Sequence, residues 1–240
     1  MSGTMLDAVR ARLQSGELAL QSDLQAAVAG RIDDLLDAIA ASGRALSRVP
    51  QPDVPAAAAK LAYVFYISGH GWRRYLAESP EALAAGAVIQ EALRADIAGI
   101  VHRLDAALTA RKAAPISRRG AAMFGLPCTA CTGDAVTLTL TSTSPVAPEQ
   151  LVVSSLSPVT VFRPVAGPRM RDVIPLLEAG DTLAVVKHLR ETQPAGCDSY
   201  CDACARLYCR EHYAIEAQWS GSWHEATFVT CPLGHEHEID

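Results

Sequence analysis

The residues best suited to chemistry lie near the C-terminus. The stretch "CDACARLYCREHY", residues 201–213, sets Cys201, Cys204, Cys209 and His212 at C-x2-C-x4-C-x2-H spacing, and "CPLGH" adds Cys231 and His235. Cysteine thiolates and histidine nitrogens in close pairs are the ligands of structural Zn2+, which takes four of them tetrahedrally, as two pairs brought together by the fold. A C-x2-C pair suits this because one tight turn puts both sulfurs on the same side. In "CPLGH" Pro232 favours the bend and Gly234 permits a positive φ before His235. Cys209-x2-His212 is expected at the start of a short helix, "REHYAIEAQ", whose first N–H groups favour a thiolate.

The order C-x2-C, C-x4-C-x2-H and then a distal Cys/His pair after a strand resembles the cross-brace and treble-clef zinc fingers. The AN1 and B-box types, which share a C-x2-C-x4-C-x2-[CH] core, are the most similar. The resemblance covers residues 197–240 and implies a zinc-held β-hairpin with a short helix. It departs from those families in the 18 residues between His212 and Cys231 and in the closing C-x3-H.

Three pairs give six ligands, too many for one tetrahedral ion and too few for two. Cys201, Cys204, Cys231 and His235 form the first-choice site. Cys209 and His212 then need two more ligands. "PCTAC" offers Cys128 and Cys131, the missing upstream pair of a cross-brace, while Cys197, His224 and His237 are local substitutes. One zinc ion is expected, and the pairs leave room for a second.

Cys128-x2-Cys131 has a rival reading as a redox dithiol, since C-x2-C lowers a thiol pKa when it opens a helix. The residues just after it, "TGDAVTLTL", read as turn and strand. A zinc-dependent hydrolase is the other enzymatic alternative, but it needs an open coordination position. The supply of sulfur ligands points instead to closed sites, and Glu211 and Glu225 stand in no H-E-x-x-H arrangement. Walker, dinucleotide-glycine and G-x-S-x-G motifs are absent from the sequence. No catalytic or cofactor-binding residue is assigned.

Charge separates the chain into parts. Residues 1–115 carry 12 Lys+Arg and 12 Asp+Glu, residues 116–196 carry 7 and 6, and residues 197–240 carry 2 and 8. The Cys/His tail is thus at net −6, the wrong sign for replacing counterions on a phosphate backbone. Nucleic-acid binding becomes a third-placed reading. Clustered thiols, seven in number, and the lack of an apolar leader in "MSGTMLDAVRARLQSG" point to a reducing, cytoplasmic setting. No stretch is apolar for the roughly 20 residues needed to span a bilayer.

The elements that must position these ligands come from periodicity. Residues 1–115 read as an antiparallel helical bundle. A first turn or two spans Met5–Leu13, followed by a long helix from Ser22, with Gln25 in capping-box register, to Gly43. A third helix runs from about Pro55 to Ile67 with Asp53 as N-cap, and a fourth from Pro80 to about Lys112. Between the last two, "SGHGWRRY" gathers His70, Trp72, Arg73 and Arg74 at a helix break. Residues 116–196 read as a small α+β region: strands in "AVTLTLTS", "LVVSSL" and "VTVFRP", then short helices in "RDVIPLLEAG" and "DTLAVVKHLRE". Residues 197–240 form the zinc-binding module. Trp219, Trp223 and Phe228 are expected to bury against the finger or a neighbour. The fold class is α+β. The expected role is a non-enzymatic, zinc-stabilised adaptor with a protein partner and no membrane association, whose apolar helical stripes permit homo-oligomers.

Overall fold

The computed structural model describes residues 3–18, 20–48, 50–69, 79–120, 122–141, 150–156, 161–164, 172–192, 197–220 and 222–239. The "HGWRRY" segment, with His70, Trp72, Arg73 and Arg74, lies outside them. The described residues form helices at the N-terminal end and antiparallel sheets towards the C-terminus, an α+β fold. The chain divides into two compact units, Met1–Ala110 with Pro232–Gly234, and Arg111–Cys231 with His235–Asp240. Among the described residues no helix is long and apolar enough to cross a membrane.

Among the described residues the first unit holds four helices: α1 (Met5–Gln14), α2 (Ser22–Leu46), α3 (Val54–Ser68) and α4 (Pro80–Ala110). Helix α1 is separate from α2. It carries a capping box in which Thr4 and Asp7 satisfy each other's backbone N–H groups, and Gly16 beyond its end takes φ +78°. The Asp96 carboxylate of α4 also accepts from the N–H of Met5 at 2.9 Å and of Leu6 at 2.8 Å, fastening the start of α1 across the bundle. In α2 the expected Ser22–Gln25 box does not form. Gln21 is the N-cap, the Ser22 hydroxyl turns to Asp23, and Gln25 Nε2 donates to the Leu13 carbonyl at 2.6 Å. A tertiary partner for Gln25 thus replaces a local one. Helix α2 also runs past Gly43 to Leu46, because Ser42 and Ala45 lie on its buried face.

Helices α3 and α4 start as their sequences require, with Asp53 accepting from Ala56 N–H at 3.1 Å and Ser79 from Ala82 N–H at 3.1 Å. The stripe Ile89, Leu93, Ile97, Ile100, Leu104 and Leu108 on α4 is buried throughout. Val28, Ile32, Leu35 and Ile39 of α2 and Leu61, Val64 and Ile67 of α3 complete the core. Burying such side chains stabilises by about 1.5–3 kcal/mol each.

The second unit is built on a five-stranded antiparallel meander: β1 (Ser117–Arg119), β2 (Met123–Pro127), β3 (Asp134–Thr141), β4 (Gln150–Ser154) and β5 (Val161–Pro164), adjacent in that order. Phe124, Leu126, Val136, Leu138, Leu151 and Val153 form its apolar face. Gly125 of β2 leaves room for the Asp134 side chain, whose carboxylate an added Cβ would displace. That carboxylate lies over the strand, accepts from the Ser117 hydroxyl at 3.1 Å and pairs with Arg119 at 2.7 Å.

Two short helices come next, α5 (Val173–Ala179) and α6 (Thr182–Thr192). Asp181 caps α6 by accepting from Ala184 N–H at 3.0 Å. The C-terminal part comprises the two-residue strands β6 (Tyr200–Cys201) and β7 (Arg206–Leu207), and a three-stranded sheet. This sheet is formed by β8 (Ala214–Ser220), β9 (Trp223–Thr230) and β10 (Glu236–Glu238), in the order β10-β9-β8.

The helix expected over "REHYAIEAQ" is confined to one 3-10 turn, Arg210–His212, and the rest is β8. From Ala214 onward the backbone pairs with β9 from Ala214↔Thr230 to Ser220↔Trp223, so ladder hydrogen bonds replace helical ones.

Candidate metal centre

Each pair sits in a turn beside or between strands. Cys128 and Cys131 occupy the loop joining β2 to β3, closed by Cys128 N–H donating to the Gly133 carbonyl at 2.8 Å. Gly133 N–H then points at Cys131 Sγ, 3.3 Å away. Cys201 ends β6, and the turn to β7 carries Cys204 and then Ala205, which adopts φ +52°. Cys209 and His212 flank the 3-10 turn, with His212 N–H donating to the Cys209 carbonyl at 2.9 Å. Cys231 comes directly after β9, and its N–H donates to the His235 carbonyl at 3.0 Å, closing the "CPLGH" turn in which Gly234 takes φ +87°.

These four turns bring eight side chains into two groups. Cys128, Cys131, Cys209 and His212 form one, and Cys201, Cys204, Cys231 and His235 the other. Within each group the ligand atoms lie within 4.8 Å of one another. The first and third pairs in the chain share one group and the second and fourth the other, so the groups are interleaved. The upstream Cys128–Cys131 pair is what Cys209 and His212 meet. Cys197 is in neither group. His224 Nε2 lies 2.8 Å from the Thr227 hydroxyl, and His237 Nε2 lies 3.2 Å from the Asp198 carbonyl oxygen, to which its N–H donates.

The spacing of the donor atoms fits a tetrahedral metal. Metal–sulfur bonds of about 2.3 Å and metal–nitrogen bonds of about 2.0–2.1 Å give edges of about 3.8 Å between sulfurs and about 3.6 Å between sulfur and nitrogen. In the first group Cys131 and Cys209 sulfurs are 3.8 Å apart, and Cys128 Sγ is 3.7 Å from His212 Nδ1. In the second, His235 Nδ1 lies 3.7 Å from Cys201 Sγ and 3.5 Å from Cys231 Sγ. The Cys209–His212 edge is shorter, at 3.0 Å. Both histidines present Nδ1.

In the first group Cys128 is drawn down as a thiol acid by hydrogen bonding from Cys209, against its own burial, while Cys209 is driven up by Cys128 and by burial, and Cys131 by burial. In the second, Cys201 is lowered by Cys204 and Cys231, and those two are raised in return. One thiolate per group is accommodated by its neighbours. Three at once, in a half-buried cluster, require a cation between them.

A second layer holds the ligands in place. Cys209 N–H donates to Cys128 Sγ at 3.3 Å, and Thr129 N–H donates to the Leu207 carbonyl at 2.8 Å, so the first loop is stitched to the chain between the second and third pairs. Tyr208 is fully buried with its hydroxyl 3.6 Å from Cys204 Sγ. The Tyr213 hydroxyl donates to the Ser199 carbonyl at 3.3 Å, and the Ser199 hydroxyl donates to the Ala135 carbonyl at 2.9 Å. Arg210 reaches the Leu156 carbonyl at 3.0 Å. Arg190 of α6 pairs with Asp202 inside the second knuckle and lies over the Tyr200 ring. Tyr208 and Tyr213 are not among the residues that ligand spacing singles out. Their signal in the sequence is their place, each one residue outside the Cys209–His212 pair.

Trp219 and Trp223 are not buried against the finger; they stand at the end of the β8–β9 hairpin, largely in solvent.

The family model described as "Domain of unknown function (DUF8328)" matches residues 118–240, just over half of the 240-residue chain. The chain belongs to the DUF8328 family. The match contains all eight clustered ligands and is not to a zinc-finger family. No curated protein and no solved structure matches the chain.

Proposed function

We propose that this DUF8328 protein is a non-enzymatic zinc protein in which two structural Zn2+ ions cross-brace the C-terminal unit, and that the braced unit serves as a protein-interaction or adaptor module. The observation that carries the reading is the interleaving of two Cys3His sets at tetrahedral edge lengths. Sulfur-rich tetrahedral sets suit zinc, and four protein ligands per ion complete its coordination without a position for substrate or water. Cys128 and Cys131 face Cys209 and His212, which favours ligation over a free redox dithiol. The acidic tail speaks against a phosphate-backbone partner. The zinc's role is folding: β6, β7 and β10, which border the clustered side chains, are only two or three residues long, and zinc-finger peptides gain about 10–16 kcal/mol of apparent binding energy at neutral pH. A cytoplasmic, reducing setting keeps the ligand thiols available.

Thiol titration of the purified protein before and after chelation tests this. Cys128, Cys131, Cys201, Cys204, Cys209 and Cys231 should stay unreactive until chelator is added, with loss of the C-terminal sheet signal when it is. A folded protein in which those six thiols titrate at once without chelator would overturn it.

A further inference from the structure

Trp219 and Trp223 are the conspicuous feature that metal binding leaves unused. They are 61% and 80% exposed. The register sets Trp219 opposite His224 and Ser220 opposite Trp223, so the two indoles project from opposite faces of one hairpin end. The His224 ring meets Trp219 edge-on at 5.2 Å, holding the indole upright instead of covering it. Two large exposed aromatics, one on each face of a single hairpin end, mark an interaction surface that a partner segment straddles, because water is a poor solvent for them and they are favoured interface anchors.

The charge around them says what kind of partner fits. After Arg210 the remaining thirty residues contain no Lys or Arg and six acids: Glu211, Glu216, Glu225, Glu236, Glu238 and Asp240. Glu225 is exposed at the hairpin end beside His224, while Glu236 and Glu238, exposed on β10 opposite Thr230 and Phe228, stand further along the same sheet. Each Cys3His set, once loaded, adds one further net negative charge, since three thiolates outweigh a dication. This field repels phosphate-bearing surfaces and attracts cations. The indole face also attracts cations, and tryptophan does so best among the aromatics. Lys and Arg side chains satisfy both features, with an apolar stem to lie along the ring and a charged head for the acids.

We propose that the β8–β9 hairpin end is the docking site for a Lys/Arg-rich peptide segment of a protein partner, with Trp219 and Trp223 receiving the cationic side chains and Glu225 supplying complementary charge. The proposal rests on the interaction-module reading above and gives it a partner chemistry.

The test is fluorescence anisotropy of a labelled Lys/Arg-rich peptide with the full-length protein, zinc content being measured on the same samples. The expected result is saturable binding that weakens as salt rises. Binding should be lost when acetyl-lysine and citrulline replace the charged residues. It should weaken about tenfold in the Trp219→Ala, Trp223→Ala double variant. Glu225→Gln, which leaves both indoles in place, should weaken it by a smaller factor of about two or three. Equal binding by the double variant would overturn the proposal, as would the absence of peptide binding. Tryptophan-dependent sedimentation with phosphatidylcholine vesicles in place of peptide binding would also overturn it, and would assign the surface to a membrane. Zinc content separates the two readings. Retained zinc with no peptide binding removes only the docking site, while zinc-free folded protein that binds the peptide removes only the metal.

Discussion

Cys197 and Cys209 show how little a cysteine's identity says and how much its neighbours do. Cys209 Sγ lies 3.8 Å from Cys131 Sγ and 3.0 Å from His212 Nδ1, inside a set of four. Cys197 is as buried as a core residue, stands outside both sets, and burial pushes its thiol up to about 12. A raised pKa keeps it a neutral thiol at pH 7, and only the thiolate is nucleophilic. Cys209→Ser should therefore lower the zinc content of the chain and the melting temperature of the C-terminal unit, whereas Cys197→Ala should leave metal content unchanged. Elemental analysis of the two variants checks this. Equal zinc content in both would show that proximity in the fold does not select the ligands. The pairs Cys201–Cys204 and Cys231–His235 were legible in the sequence because spacing within a turn is local, and the structure groups the two pairs as expected. The choice among Cys128, Cys131, Cys197, His224 and His237 for the remaining positions was not legible. Cys131 and Cys209 are 78 positions apart, and only the β2–β3 hairpin and the Thr129–Leu207 hydrogen bond bring them together.

Elements were legible where a local pattern agreed with packing, and missed where packing replaced it. The α4 stripe, the Asp53, Ser79 and Asp181 caps and the alternation of β3 all appear in the structure. The Ser22 capping box gave way to a longer-range bond from Gln25 to Leu13, and the helix after Cys209 gave way to the β8–β9 ladder. The burial expected of Trp219 and Trp223 failed because they flank the hairpin turn at the end of the β8–β9 ladder, where both indoles stay exposed. Helix α1 exposes the same logic from the other side. Its two leading N–H groups are satisfied by Asp96, 90 and 91 positions away, and no helix-start signal in α1 itself announces that residue. Replacing Asp96 by Ala leaves both donors without this partner and should cost about 1 kcal/mol, read as a fall in the first unit's thermal midpoint. Asp96→Asn, which keeps one acceptor, should recover part of the loss. An unchanged midpoint in Asp96→Ala would mean that the Thr4–Asp7 box alone sets the start of α1.

At the scale of the molecule, two units of different construction divide the work. Among the described residues the first has an apolar core drawn from α1, α2, α3 and α4. The second divides its chain among a meander, two short helices, a two-residue ribbon and a small sheet, and the two ligand sets fall at the junctions among the strand-forming parts. Because the sets interleave along the chain, neither can open without releasing segments that the other also holds. The two metals should accordingly bind and leave together. Native mass spectrometry of the intact chain under graded chelation tests this central claim most directly. It should find two zinc ions per chain at the outset and pass to the metal-free form with little one-zinc species between. A chain that carries no metal while its C-terminal sheet stays folded, or one that gives up its ions in two well-separated steps, would contradict the cross-brace.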